Sequence, residues 1–210
     1  MIIDEWVNTE LEKNQILKIT EKVYPNSEFA TSKYFDWQYR NGPYGPAKIL
    51  LAKNDSGDVI GIEPILPMKL SIDNKVIISS LSCNSITDPD FRNQGIFSKL
   101  VSNILEFTKT NKISSIYSIP NRESHNIFIK NGFNDISELP LLVRPLKLSN
   151  YFPSPIKEIV KPIEILWKIQ KVETVIGLFK GKINSDFEKL TKDLSQRVSI
   201  LQKRDKEFLE

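Results

Sequence analysis

The chain has 210 residues, 40% of them hydrophobic and 26% charged, with a formal net charge of +3. That suits one sizeable domain, alone or with a helical appendage, and excludes wholesale disorder and two large independent cores. A single cysteine, Cys83, and a single histidine, His125, exclude an internal disulfide, a Cys/His zinc site and a His-rich metal centre, and any nucleophile–His relay would rest on His125 alone.

Met1 to Glu5 is acidic and lacks the basic-then-apolar layout of a signal peptide. No run of 18 apolar residues predicts a membrane span. The expected setting is cytoplasmic. Asn8-Thr9 with Glu12 reads as a capping box, and Leu11, Ile16, Leu17, Ile19 and Val23 follow in helical rhythm, predicting a helix from Glu10 to Val23 ended by Pro25. A second short helix starts after Thr31 or Ser32, runs through Tyr34, Phe35, Trp37 and Tyr39, and stops at Asn41-Gly42-Pro43. Strands follow: Lys48 to Lys53, then Val59 to about Ile72, then Val76 to Thr87 after a turn at Asp73-Asn74. Pro64 and Pro67 cannot donate to a ladder, so the Val59 strand is expected to be bulged or edge-like there.

After Asp88-Pro89-Asp90 the period changes. Phe97, Leu100, Val101, Ile104 and Leu105 mark one face of an amphipathic helix. Ile113 to Ile119 reads as a buried-type strand, Ser124 to Asn131 as a helix closed by Gly132, and Phe133 to Arg144 as one or two strands. Pro140, Pro145, Pro153, Pro155 and Pro162 then mark a change of regime, beyond which the chain looks helical. Phe187, Leu190, Leu194, Val198 and Leu201 form a seam of about two heptads, too short for a stable coiled coil. Residues 1–150 carry 17 basic and 17 acidic side chains, so the excess sits in 151–210 with 12 and 9. Those charges form no block, and a solvated helix surface is a better reading than a nucleic-acid site.

The chemistry concentrates in Arg92-Asn93-Gln94-Gly95-Ile96-Phe97-Ser98, where a strand ends and a helix begins at once. Free N–H groups and the positive end of the helix dipole make such a turn an anion site, and Gly95 lets backbone approach a ligand. The turn lacks the Gly-Lys-Ser/Thr ending of an NTPase loop and the three glycines of a dinucleotide fingerprint. About thirty residues on stands Asn121, followed by Ser124, Phe128 and Gly132-Phe133.

Together these two segments resemble the GNAT superfamily of acyl-CoA-dependent N-acyltransferases. Arg92 to Phe97 is similar to its pyrophosphate loop, and Asn121 to Phe133 to its second motif. The resemblance covers residues 1–146 and implies an α+β fold with a mixed, mostly antiparallel sheet flanked by helices. Residues 147–210 would add a helical extension or linker. On this resemblance Ser85, Ile86 and Thr87 pair with the pantetheine arm of acetyl-CoA. Arg92, Asn93, Gln94, Gly95, Ile96, Phe97 and Ser98 meet the pyrophosphate, and Asn121 and Phe128 flank the arm. Phe97 replaces the loop's last Gly/Ala, with its side chain expected to point outward. Phe128 stands where a tyrosine usually protonates the leaving thiolate, leaving Ser124, His125, Tyr117 or a water as the acid. A thiol with pKa near 8.5 leaves without a dedicated acid, so that loss need not abolish turnover. Ile116 stands where many relatives carry a basic Glu.

An amine acceptor must lose a proton before attack. Glu63, the one carboxylate inside the strand core, is the leading candidate base; the competing reading is an outward-facing charge on an alternating strand. Asp88 is the runner-up, although an Asp before Pro is usually a turn former. Cys83 reads as a small buried hydrophobe and His125 as a surface residue. Trp37, Tyr39 and Arg40 are expected to line the acceptor site, unless the aromatics simply staple the helix to the sheet. The C-terminal Lys203 to Glu210 faintly echoes Ser32 to Asp36, as in relatives with two such halves, and the tail seam would then suit a homodimer. The expected reaction moves acetyl from acetyl-CoA to a primary amine of a small polar acceptor, an amino sugar being one such acceptor, with no metal and no nucleic-acid partner. The alternative is a degenerate module that binds CoA or serves a structural or regulatory role.

Overall fold

A computed structural model describes residues 1–137 and, beyond them, residues 153, 156, 158, 189, 192–194, 196–197, 200–202 and 208. Residues 1–134 and 182–210 form one compact unit and 135–181 another. In the first unit the described strands are β1 (Ile2–Glu5), β2 (Lys48–Lys53), β3 (Val59–Ile72), β4 (Lys75–Ser82), β5 (Ile86–Thr87), β6 (Ser115–Ser118) and β7 (Ile200–Gln202). The helices are α1 (Glu10–Val23), α2 (Ser32–Phe35), α3 (Ile96–Thr110) and α4 (Arg122–Lys130), with 3-10 turns at Glu28–Ala30 and Pro89–Phe91 and a π turn at Asp36–Arg40. The sheet runs β1-β2-β3-β4-β6, with β5 and β7 also on β3, and every pairing is antiparallel except β4 with β6.

Local chemistry explains the helix ends. Thr9 accepts from the Glu12 N–H, and Glu12 takes the Val7 N–H in return, so the reciprocal cap expected from the sequence forms two residues further out on its second arm. Asn121 caps α4, accepting from the Glu123 and Ser124 N–H groups. At the far end Gly132 takes φ 98°, and the Phe133 N–H reaches back to the Phe128 carbonyl. The two rings then touch at 4.9 Å, completing a Schellman end with its apolar contact.

Alternation along the strands builds two core layers. Ile49, Leu51, Ile62 and Leu66 face α1 and α2 with Ile16, Ile19 and Phe35. Leu50, Ala52, Ile60 and Ile65 face α3 with Ile96, Leu100 and Ile104. β3 lies between β2 and β4 and is central, not an edge strand. Its prolines sit where no ladder bond is needed. The Pro64 carbonyl points to the Cys83 N–H, so its missing donor faces the break between β4 and β5. Pro67, three residues on, faces the opposite edge, in the gap between the last β2 pair at Ile65 and the first β7 pair at Leu70. Asp73 and Asn74 both take positive φ, 46° and 64°, and close the β3–β4 hairpin.

Several expectations need correction. The acidic start is a strand, β1, whose mostly exposed residues hide it from any hydrophobic pattern. Leu11 is 71% exposed, while its neighbour Lys13 is buried because its ammonium binds both Asp36 oxygens at 2.8 and 2.9 Å. Ile96 takes the α3 core position assigned to Phe97. The return strand Val76 to Thr87 breaks at Cys83–Ser85, with Asn84 at φ 57°. Ile113 to Ile119 shortens to a half-buried strand, and residues 133–137 form none; 138–144 lie outside the described residues. In the tail seam Leu194 is helical and 41% exposed, but Leu201 lies in strand β7, paired with Ser71, so the helical repeat does not extend that far. Phe187, Leu190 and Val198 lie outside the described residues.

Gly61 sets the seat of α3. A Cβ there would meet Ile96 Cγ2 at 2.9 Å, Leu100 Cδ1 at 3.2 Å and the Ile86 carbonyl at 3.3 Å. Gly61→Val should lower the unfolding free energy by about 1–3 kcal/mol through overpacking. A urea midpoint equal to that of the wild type would show that α3 is not seated through this contact.

Candidate functional site

Parallel β4 and β6 stay paired from Ser79 with Ser115 to Ser82 with Ser118 and then part. β4 leaves β3 at Ile65, and the chain returns to β3 only at Ile86 opposite Ile62. The residues between, Cys83 to Ser85, form one wall of a cleft of about 660 Å³. Ser118 to Asn121 form the other wall, and the N-terminus of α3 closes one end.

The loop before α3 presents unused donors. Asn93 and Gly95 take left-handed φ, 62° and 73°. The first helical bond runs from the Lys99 N–H to the Gly95 carbonyl at 3.0 Å. None of the N–H groups of Asn93 to Ser98 finds an acceptor among the described residues. Six consecutive donors at the positive end of a 15-residue helix make a strong anion cradle. A Cβ on Gly95 would meet nothing within 4 Å, so glycine is needed there for its φ, not for space within the protein. Arg92 supplies the one cation among the described lining residues.

The residues expected to hold the cofactor converge here. Ser85, Ile86 and Thr87 line the strand side, Arg92, Asn93 and Gly95 to Ser98 the helix end, and Asn121 and Phe128 the opposite side. Gln94 is exposed and does not line the cleft. Phe97 does not point outward: it lines the cleft with its ring on Phe128 at 5.5 Å, and the amides remain open. Asn121 spends its carboxamide oxygen on the α4 cap and on the Ser124 hydroxyl, so only its amide nitrogen has a proton for a ligand. Ser98 accepts from the Asn131 amide, which leaves its hydroxyl proton free to donate.

The expected acid and base are placed less directly. The Ser124 hydroxyl donates to Asn121 at 2.9 Å. Tyr117 packs against the core layer under α1 and does not line the cleft. Asp88 caps the 3-10 turn and binds Lys22 at 2.7 Å. Burial pushes its carboxyl up, but the Lys22 ammonium and the Asp90 N–H outweigh that and hold it below the usual range. Cys83 lines the cleft, and burial, with Glu63 nearby, pushes its thiol up to about 12, far from nucleophilic. Glu63 is fully buried, not outward-facing. The Ser82 hydroxyl donates to its Oε1, and Oε2 has no hydrogen-bond partner among the described residues. Burial lifts the carboxyl to about 7, against the opposing hydroxyls of Ser82 and Ser85. Glu63 does not line the cleft; Ser82 and Ser85 do.

The acceptor residues separate. Tyr39 is 5% exposed in the core, and burial raises its hydroxyl's pKa. Arg40 is bound to Glu10, Asp36 and Asn8, away from the cleft. Trp37 is 64% exposed, its ring 5.5 Å from Tyr34. Asn84, Tyr24 and Ser118 line the cleft without having been singled out. The available signal was Asn84, a residue that tolerates left-handed φ, interrupting a strand. Among the described residues no group of three or more His, Cys, Asp or Glu is placed to hold a metal, and no helix is long and apolar enough to cross a membrane.

Parted parallel strands beside a donor-rich helix start make a cleft with an anion-binding end. The model of the acetyltransferase (GNAT) domain family matches residues 8–133, and the chain belongs to that family. An acetyltransferase of Trypanosoma brucei shares the fold at TM-score 0.52 and 14% identity, over 68% of this chain and 100% of its own. Glucosamine-6-phosphate N-acetyltransferase from Arabidopsis thaliana does so at 0.53 and 12%, over 68% and 99%. A predicted acetyltransferase of Clostridium acetobutylicum, solved with acetyl-CoA, does so at 0.52 and 17%, over 68% and 96%. Comparison with curated protein sequences gives no match.

A carboxyl lifted to about 7 makes its stability contribution run opposite to that of a paired Asp. The unfolded chain releases the proton near the usual carboxylate pKa, while the folded chain holds it until about 7. Stability is therefore full below pH 4.5 and is lost as pH rises through 7, by roughly 3 kcal/mol in the limit. Urea midpoints should fall between pH 5 and pH 8, and Glu63→Gln should flatten that slope. A slope unchanged by the substitution would place the ionisation elsewhere.

Proposed function

We propose that the chain is an N-acyltransferase that moves acetyl from acetyl-CoA to a primary amine of a small molecule. The observation that supports this reading is the row of N–H groups from Asn93 to Ser98 without acceptors among the described residues, at a helix start whose residues, Gln94 aside, line the cleft between the parted strands. A diphosphate fits such a cradle, with Arg92 and the Ser98 hydroxyl adding a charge and a donor. The pantetheine arm would run along Ser85 to Thr87 and reach the split. The N–H groups of Asn84 and Ser85 have no backbone acceptor among the described residues and stand ready for the thioester oxygen. The amine nitrogen attacks the carbonyl carbon and a C–N bond forms. The C–S bond then breaks, and the proton lost from nitrogen balances the one gained by the thiolate, giving an amide and free CoA. Proton removal would pass through Ser82 or Ser85 to Glu63, whose pKa near 7 suits that task. The amino sugar is one acceptor within this class, as it is for the Arabidopsis protein by name.

A second reading has its own support. Phe128 stands in the usual acid position, Ser124 donates its proton to Asn121 and Tyr117 packs in the core, so two of the expected acids are not poised at the split. A module that binds CoA without turnover follows from that arrangement.

Titration calorimetry with acetyl-CoA should show one site. Gly95→Val, which forces a β-branched residue to a φ of 73°, should weaken it about tenfold or more. Free-thiol release with a panel of amines then separates the readings: turnover supports the transferase, and binding without turnover on any amine supports the non-catalytic module. Absence of acetyl-CoA binding sinks both.

A further inference from the structure

Beside the large cleft, and sharing Tyr24, Asn84 and Ile86 with it, lies a second cavity of about 40 Å³. Thr20, Phe29, Tyr34, Phe35 and Tyr39 supply much of its wall. A water needs about 10–15 Å³ by the same measure, so the cavity takes a group of two or three heavy atoms, such as an aminomethyl end. From its rim four rings run outward in successive contact, the first two contacts edge-on and the last tilted. Tyr24 meets Phe29 at 5.6 Å, Phe29 meets Tyr34 at 5.0 Å, and Tyr34 meets Trp37 at 5.5 Å. Three of them stay open to solvent: Tyr24 at 43%, Phe29 at 42% and Trp37 at 64%. A continuous exposed ring row that borders a cleft is a binding feature, not a folding one.

The charge pattern narrows the ligand. No Lys, Arg or His is among the described residues lining the small cavity. Arg92, the one such cation lining the large cleft, belongs to the loop that cradles the diphosphate. An acceptor bearing phosphate or carboxylate near its amine would have to shed water from that charge with no counter-charge to meet it. An apolar body loses nothing by lying on the rings, and its ammonium is favoured over their faces before deprotonation. Asn84 joins the two cavities, with the Tyr34 and Tyr39 hydroxyls beside its side chain, so an amine seated there lies next to the Asn84 and Ser85 N–H groups.

We propose that the small cavity and its ring row are the acceptor site, and that the acceptor is a primary amine on an aromatic or aliphatic body without an anionic group. The reaction assigned to it rests on the acetyl-CoA reading of the larger cleft; the site itself does not. The test uses the full chain and four amines: phenethylamine, hexylamine, glucosamine and glucosamine 6-phosphate. Tryptophan fluorescence, titrated with and without CoA, reads acceptor binding independently of turnover. Phenethylamine and hexylamine should bind saturably and, where thiol is released, show kcat/KM at least roughly tenfold above that of either sugar. Phe29→Ala, at a half-open surface position, should weaken phenethylamine several-fold and leave acetyl-CoA affinity unchanged. Saturable amine binding with no CoA binding would remove the cofactor reading and keep the acceptor site. Tighter binding or faster turnover of glucosamine 6-phosphate, or no saturable binding of either apolar amine, would overturn the proposal.

Discussion

β3 must serve two partners along one edge, β4 as far as Ile65 and β5 from Ile62, and the residues joining them cannot lie flat between. Pro64 faces that junction with no N–H to offer, so the ladder is interrupted from both sides. The chain bows out at Cys83 to Ser85, Asn84 takes a left-handed turn, and two amides are left without backbone partners. Regular pairing here would have consumed those donors and closed the cleft. The break that weakens the sheet is thus what opens the cleft and leaves donors beside it.

The same break explains why a carboxyl is buried at Glu63. The Ser82 hydroxyl, at the last β4 residue before the chain bows, donates to it. Isolated burial of a carboxylate is costly, and the group responds by holding its proton to about neutral pH. Asp88, five residues beyond Cys83, is also buried but sits against Lys22 and moves the other way. Two carboxyls of similar exposure therefore differ in protonation because one has a cation in reach and the other has only hydroxyls. That contrast favours Glu63 over Asp88 as the group that can exchange a proton during a reaction.

The seat of α3 depends on a separate piece of packing. Gly61 lets α3 sit close over β3, and the residues of the helix start then line the end of the cleft. Phe97 is accommodated because α4 offers Phe128 and Phe133 as ring partners, so a bulky residue in the loop becomes part of the wall. The α3–α4 contact continues through the Asn131 amide to Ser98. For the proposed transfer, the replacement of the usual tyrosine by Phe128 would matter less to the rate than donors for the thioester oxygen. A thiol leaves readily, whereas one such donor contributes about 3–4 kcal/mol in comparable acyl transfers.

Elements with a strong local signal were legible in the residues alone. Thr9 and Glu12 mark the start of α1, the i, i+3, i+4 pattern marks α3, and Asn121 and Gly132 bracket α4, since capping and periodicity are short-range and depend on neighbours in sequence. The Arg92 to Ser98 turn could be read as an anion site for the same reason. What depends on partners distant in the chain could not be read. The sequence left the orientation of Glu63 open, hid β1 in an acidic stretch, placed Leu201 on a helix and sent Phe97 outward. Burial, strand pairing and ring contact decided those, through Ser82, Leu50, Ser71 and Phe128 respectively. Tertiary structure alone also tied Arg40 to Glu10 and Asp36 and brought Tyr24, Phe29 and Tyr34 into one row, because those rings meet across a turn that no periodicity describes.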